Sequence, residues 1–283
     1  MIRPNSSGLY REVFAPRYGA QDIGCSPEGP QDRFAWESAK ILLGEGHDVR
    51  TWELISPPSF TVEQDVLGIC TGGRFEQIVC GKRLLEHATV FQAKAGERIQ
   101  WGIREKGFRT VLALCPLTPE NQHRIGLQRG DFSTVAQWMG KEGTLRVIPG
   151  PEAEVVGCLE TFLDTLWSTT VDSSDVGVRI KGDDVSLPVD SLQHMVSGPV
   201  ADGTVQLTPE GLILFLRSRP TMGGYPRICT VIDADVDVAA QFPPRRRVRF
   251  ELVRYHEAVH ARYQQQEDLD YLRKTMSKRA KEM

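Results

Sequence analysis

The segment best equipped to do chemistry runs from Arg219 through Pro220, Thr221, Met222, Gly223, Gly224, Tyr225 and Pro226 into the apolar run Ile228-Cys229-Thr230-Val231-Ile232. A guanidinium such as that of Arg219 can clamp a carboxylate through two parallel hydrogen bonds, and the amides of Gly223 and Gly224 can receive a developing oxyanion. The glycine pair supplies either φ freedom or close backbone approach, Tyr225-Pro226 fixes an extended exit, and a β-branched strand follows. Two readings stand at this level. One is a ligand loop; the other is a plain tight turn in which Arg219 pairs with a neighbouring carboxylate.

Two further patterns carry possible chemistry. His256-Glu257-Ala258-Val259-His260 fits the His-Glu-x-x-His zinc pattern literally, with both imidazoles one helical turn apart. It opens a highly charged terminal stretch with no obvious third ligand downstream, so the expectation is a helix surface and no metal. Arg245-Arg246-Arg247-Val248-Arg249 resembles an anion site, but it lies where a turn enters a strand, and alternation puts Arg247 and Arg249 on one solvated face. No Gly-x-x-x-x-Gly-Lys-Ser/Thr loop occurs anywhere, so a nucleotide would be handled by another chain.

The elements that must position these residues are mainly strands. Short β-type runs bounded by Gly, Pro, Asp or Asn recur at 59–71, 88–92, 98–101, 109–114, 144–148, 176–180, 204–207, 211–216, 229–232 and 248–253. That spacing predicts sandwich or barrel architecture rather than βαβ alternation. Helical periodicity appears over 32–43, where Asp32 is placed to cap the following turn, over 151–166, and after Val253. A polar, glycine-flanked link at 140–143 divides the chain. The last stretch has one narrow apolar stripe (Tyr255, Val259, Tyr263, then Leu269, Leu272, Met276) and reads as a weakly held, dispensable helix that docks on its own barrel or on a partner.

Bulk properties exclude several classes. Lys plus Arg number 34 against 37 Asp plus Glu, a net charge of −3, so no electrostatic footprint for nucleic acid or an anionic membrane is present. No run approaches the roughly 18 apolar residues of a membrane span. Met1-Ile2-Arg3-Pro4 leads into no apolar stretch, so no secretory signal is read and the cytoplasm is the expected compartment. The six cysteines lack any Cys-x-x-Cys pair and mostly sit in apolar runs such as Leu112-Ala113-Leu114-Cys115, as free core thiols do in a reducing compartment.

The segment from Pro220 to Ile232 is very similar to the threonine, glycine-glycine-tyrosine-proline signature of the biotin-dependent carboxyltransferase-like family. This is the allophanate hydrolase subunit 2 family, which includes the C subunit of 5-oxoprolinase, the urea amidolyase carboxyltransferase domain and the antagonist of the sporulation-kinase inhibitor. Upstream, Gly203-Thr204-Val205-Gln206-Leu207 with Ser197, Gly177 to Gly182, and Arg146 to Pro151 resemble further family motifs. Arg17-Tyr18-Gly19, Gly24, Gly29, Asp32, Trp52-Glu53-Leu54, Thr71-Gly72-Gly73 and the strand around Arg109 extend the likeness over about residues 10–254.

The resemblance implies two cyclophilin-like β-barrel domains, at 1–143 and 144–254, with a helical tail at 255–283. It implies Arg219, Gln206, Thr221 and Tyr225 as catalytic candidates, with Gly223, Gly224, Arg17, Arg109 and Asp32 binding substrate. In the oxoprolinase version the subunit and its partners open 5-oxoproline to glutamate with ATP. In the urea version carboxybiotin from a separate carrier gives its carboxyl group to a small amide; no Met-Lys-Met biotinylation site occurs here. Ser218 stands at a usually acidic position, Pro220 at a glutamine, Asp175 at an arginine and Gly198 at a glutamate, and a cleft loop after residue 114 is missing. These departures open the alternative of a regulatory or scaffolding homologue. On either version, Arg219→Ala is expected to lower the activity of the assembled complex at least tenfold more than Arg247→Ala, read as kcat/KM; equal effects make the loop arginine merely structural.

Overall fold

The computed structural model describes residues 1–128, 143–182 and 195–282. Apart from Gly143, the link expected at 140–143 lies outside the described residues. By internal contact the chain divides into two units, neither contiguous in sequence: Met1–Phe14, Asp32–Val135 and Gln266–Met283 form the first, Ala15–Gln31 and Ala136–Gln265 the second.

In the first unit ten strands share two five-stranded sheets. One runs in the order β1 (Ile2–Pro4), β4 (Phe60–Val62), β9 (Arg98–Trp101), β6 (Ile78–Cys80), β7 (Arg83–Leu85). The other runs β2 (Leu9–Val13), β3 (Arg50–Ser56), β10 (Arg104–Pro116), β5 (Val66–Phe75), β8 (Phe91–Ala93). The near-continuous apolar runs of β5 and β10 follow from burial on both faces. Leu67, Ile69, Val111, Ala113 and Cys115 meet helix α1 (Arg33–Leu43), while Val66, Cys70, Leu112 and Leu114 point into a second core with Leu54, Phe60 and Ile99. Asp32 caps α1 as the sequence predicts, its Oδ1 accepting from the Ala35 amide at 2.8 Å.

The second unit is a closed barrel. Its wall is β11 (Thr144–Pro149), β18 (Arg227–Val231), β15 (Thr204–Thr208), β16 (Gly211–Phe215), β13 (Gly177–Gly182), β12 (Trp167–Thr169) and β19 (Arg247–Leu252), closed by β19 running parallel to β11. A two-stranded ribbon, β14 (Gly198–Pro199) with β17 (Met222–Gly223), stands apart from the wall. Along β19 the alternation is as expected: Arg247 and Arg249 are exposed, while Val248 and Phe250 fill the barrel with Leu145, Phe162 and Trp167.

The mainly β fold with a C-terminal helix agrees with the sequence. Full barrel closure belongs to the second unit, the first keeping two sheets. Two helical readings are corrected. The helix expected over 151–166 breaks into α2 (Ala153–Val156) and α3 (Leu159–Asp164) because Gly157 takes a left-handed φ of 64° and ends the first turn. Helix α4 (Asp233–Ala240) is not signalled by the sequence because it is buried nearly all round, Asp235 and Asp237 included, and so shows no polar stripe.

The C-terminal helix α5 (Tyr255–Glu282) is also not the weakly held tail expected. Leu269, Leu272 and Met276 are buried in the core beneath α1, and Arg273 pairs with Glu37 and Glu45. No helix among the described residues is long and apolar enough to cross a membrane. The six cysteines are free, and all but Cys25 are buried. Leu272→Ala is expected to cost about 2–5 kcal/mol by opening a cavity in that core, and truncation after Val253 to lower the melting temperature sharply; an unchanged melting temperature on truncation would restore the dispensable-tail reading.

Candidate functional site

The loop between β16 and β18 is built on close backbone approach, not on unusual dihedrals. Neither Gly223 nor Gly224 has positive φ. A Cβ at Gly223 would instead lie 2.3 Å from Nε2 of Gln206, whose side chain reaches up from β15 under the loop. Gln206 is buried, and its Nε2 donates to the Tyr225 carbonyl at 2.9 Å, so one amide both fills the space beside Gly223 and holds the chain after Gly224. The ribbon pairs Gly223 with Gly198 and Met222 with Pro199, and the Val200 amide donates to the Thr221 carbonyl at 3.1 Å.

The end of this ribbon is pinned electrostatically. Glu152 takes the Arg227 Nε and Nη2 at 2.9 and 2.6 Å, and Arg227 Nη1 donates to the Pro199 carbonyl at 2.6 Å. The hydrogen bonds from Arg227 hold the Glu152 carboxyl below its ordinary range, burial opposing them.

Arg219, only 9% exposed, pairs with a carboxylate, as one of the two readings of the sequence has it. Its Nε donates to Asp202 Oδ1 at 2.8 Å, and its Nη1 reaches the Pro220 carbonyl at 3.2 Å. Its Nε edge is therefore not available to a ligand. Nη2 makes no hydrogen bond among the described residues, which leaves one charged donor for a ligand carboxylate or carbonyl. Thr221 is half-buried, and Tyr225 is 41% exposed.

The other expected residues are distributed differently. Arg17 lies in the stretch Ala15–Gln31 of the same unit, with its guanidinium exposed and 4.0 Å from Glu28. Asp32 and Arg109 belong to the first unit and are buried there: Asp32 caps α1 and its own amide donates to Glu53 at 3.2 Å, while Arg109 sits on β10 with its guanidinium 5.6 Å from the Phe108 ring centre. The two histidines of the zinc-like pattern are exposed on α5, and Glu257 accepts from the Arg254 amide at 2.7 Å as half of a capping box. Among the described residues no group of three or more His, Cys, Asp or Glu side chains is arranged to hold a metal.

Sequence reasoning missed the residue behind Arg219. Arg217 is 1% exposed, and its guanidinium is shared among Asp237 (2.6 Å), Asp202 (3.0 Å) and Asp233 (3.3 Å). Burial pushes this guanidinium towards neutrality, but Asp237, Asp233 and Asp202 together hold its pKa above the ordinary value. Its amide and Nε also engage Oε1 and the carbonyl of Gln31, while Gln31 Nε2 donates to Ser218. The available signal was alternation: Leu216-Arg217-Ser218-Arg219 puts two cations on one side, and Asp233 and Asp237 stand one helical turn apart.

A sequence model described as "Carboxyltransferase domain, subdomain A and B" matches residues 23–116 and 117–252. The C subunit of the 5-oxoprolinase of Haemophilus influenzae is 26% identical over 296 residues, covering 93% of this chain and 94% of the relative. That of Escherichia coli is 26% identical over 310 residues, covering 96% and 97%. The crystal structure of the K. lactis urea amidolyase superposes with a TM-score of 0.81 at 15% identity, over 96% of this chain and 20% of that larger one.

The loop geometry sets an expectation for its glycines. Gly223→Ala must displace Gln206 and should destabilise the fold by about 1–3 kcal/mol in denaturant titration. Gly224→Ala, whose Cβ would meet Ser197 Oγ at 3.3 Å and the Met195 carbonyl at 3.9 Å, should cost clearly less. Equal costs would remove close approach as the reason for the first glycine.

Proposed function

The chain belongs to the carboxyltransferase domain, subdomain A and B, family, and from that premise we propose that it is the carboxyltransferase-type subunit of a 5-oxoprolinase-type complex. The observation that carries this reading is coverage. Both relatives named as the C subunit of 5-oxoprolinase align with it over more than nine-tenths of either partner, whereas the urea amidolyase likeness involves one fifth of a larger chain. The complex opens the lactam of 5-oxoproline by adding water across its C–N bond, driven by ATP that a partner subunit binds. The free thiols fit a cytoplasmic complex.

Within this chain Arg219 Nη2 holds the substrate carboxylate, and the Gly224 amide meets the lactam oxygen as charge develops on it, the Gly223 amide being taken by the ribbon pair with Gly198. Thr221 and Tyr225 offer hydroxyls to the same ligand. Gln206 keeps the loop at its height, and Arg17 supplies a second, exposed cation. In the urea-type reaction, a transfer of the carboxyl group from carrier-borne carboxybiotin to an amide nitrogen rather than a hydrolysis, the Gly224 amide and Arg219 would instead receive the carboxybiotin.

A second reading, a regulatory or scaffolding homologue, draws on one specific observation: the Nε edge of Arg219 is already occupied by Asp202. Reconstitution separates the two. The isolated chain is expected to show neither ATPase nor 5-oxoproline turnover, and addition of the partner 5-oxoprolinase subunits should give ATP-dependent glutamate formation. Assembly without glutamate favours the regulatory reading, and failure to assemble with those subunits sinks the proposal.

A further inference from the structure

We propose that Arg217 is a positioning residue that sets the orientation of Arg219 through their shared partner Asp202. The inference deepens the site reading above and rests on it for its functional arm. Asp202 uses both of its oxygens: Oδ1 accepts from Arg219 Nε at 2.8 Å and Oδ2 from Arg217 Nη1 at 3.0 Å. The carboxylate plane is therefore fixed from both sides, and with it the direction in which Arg219 presents Nη2.

Arg217 is suited to this because it is itself immobilised. Asp237 takes its Nη2 and Asp233 its Nη1, both from α4, and Gln31 binds its amide and Nε. The aspartates are held in turn by α5, where Gln265 Nε2 donates to Asp237 Oδ2 at 3.0 Å and Arg262 pairs with Asp233 at 3.2 Å. Asp202 is the contact that leads from this anchored group to the candidate site.

Stability alone gives a poor account of such an arrangement. Desolvating a guanidinium and its carboxylates costs about as much as their attraction returns, and well-packed apolar side chains often serve stability as well or better. A fork-shaped cation can do what an apolar side chain cannot, which is to fix the plane of a carboxylate. Lysine keeps the charge but not the fork, so Arg217→Lys should leave the aspartates compensated while loosening the hold on Asp202 Oδ2.

The test has two arms. In the chain alone, labelled on arginine nitrogen, the Nε–H resonance of Arg219 (assigned by its loss in Arg219→Lys) is expected to shift or broaden in Arg217→Lys. In the reconstituted complex the same variant should raise KM for 5-oxoproline about tenfold while kcat changes much less. Asp202→Asn, which retains Oδ1 but neutralises the relay, should reproduce both effects, and the double variant should add little to either single one. Asp202→Asn also serves where Arg217→Lys fails to fold. An unmoved Nε–H signal overturns the proposal, as does a moved signal with unchanged KM. A moved signal in a complex with no 5-oxoproline turnover supports the positioning and counts only against the oxoprolinase reading.

Discussion

A guanidinium with almost no exposed surface is the constraint around which the second unit is arranged. A buried Arg217 cannot remain charged without carboxylates in contact, and neutralising it is not an available escape at any ordinary pH. Three aspartates from two segments therefore converge on it, and their own remaining oxygens recruit Gln265, Arg262 and Arg219. One buried charge thus ties together α4, the first half of α5, the stretch ending at Gln31 and the loop bearing the signature glycines. Removing the arginine would leave the buried Asp237 without its cation, a far larger penalty than the intact group's net contribution to stability.

The glycine loop shows the same economy with uncharged groups. A single amide, that of Gln206, occupies the volume a side chain at Gly223 would need and satisfies the Tyr225 carbonyl. Arg227 does the equivalent at the other edge, joining Glu152 to the Pro199 carbonyl. Donors aimed at a ligand are effective only if they are fixed before it arrives. Here the fixing comes from side chains beneath and beside the loop, while Tyr225 stays partly exposed above it.

Much of this is legible in the residues. Alternating and continuous apolar runs locate the barrel strands apart from β12, the Asp32 cap is readable from its place before Arg33-Phe34-Ala35, and the surface character of Arg247 and Arg249 follows from alternation. What escapes has physical reasons. Strands such as β2, with Arg11 and Glu12 among its five residues, carry charges that pair across the sheet with Glu53 and Arg50, so they do not read as apolar. Helix α4 hides its period because its aspartates are buried against arginines. The stripe Leu269, Leu272, Met276 is visible, but its burial depends on a groove beneath α1 that only the folded first unit supplies.

One departure from the family pattern, Ser218, becomes coherent once Arg217 is considered. At the position before Arg219, where the resemblance places an acidic residue, Ser218 instead accepts a hydrogen bond from Gln31. The carboxylate for Arg219 arrives from Asp202, a residue of a different turn. A carboxylate next door in sequence is oriented by the loop's own backbone, whereas one borrowed from elsewhere has free rotation about its side-chain bonds unless something holds its second oxygen. Arg217 supplies that hold. Ser218 leaves Arg219 without an acidic neighbour in sequence, and Asp202, held on its other oxygen by Arg217, serves in that place.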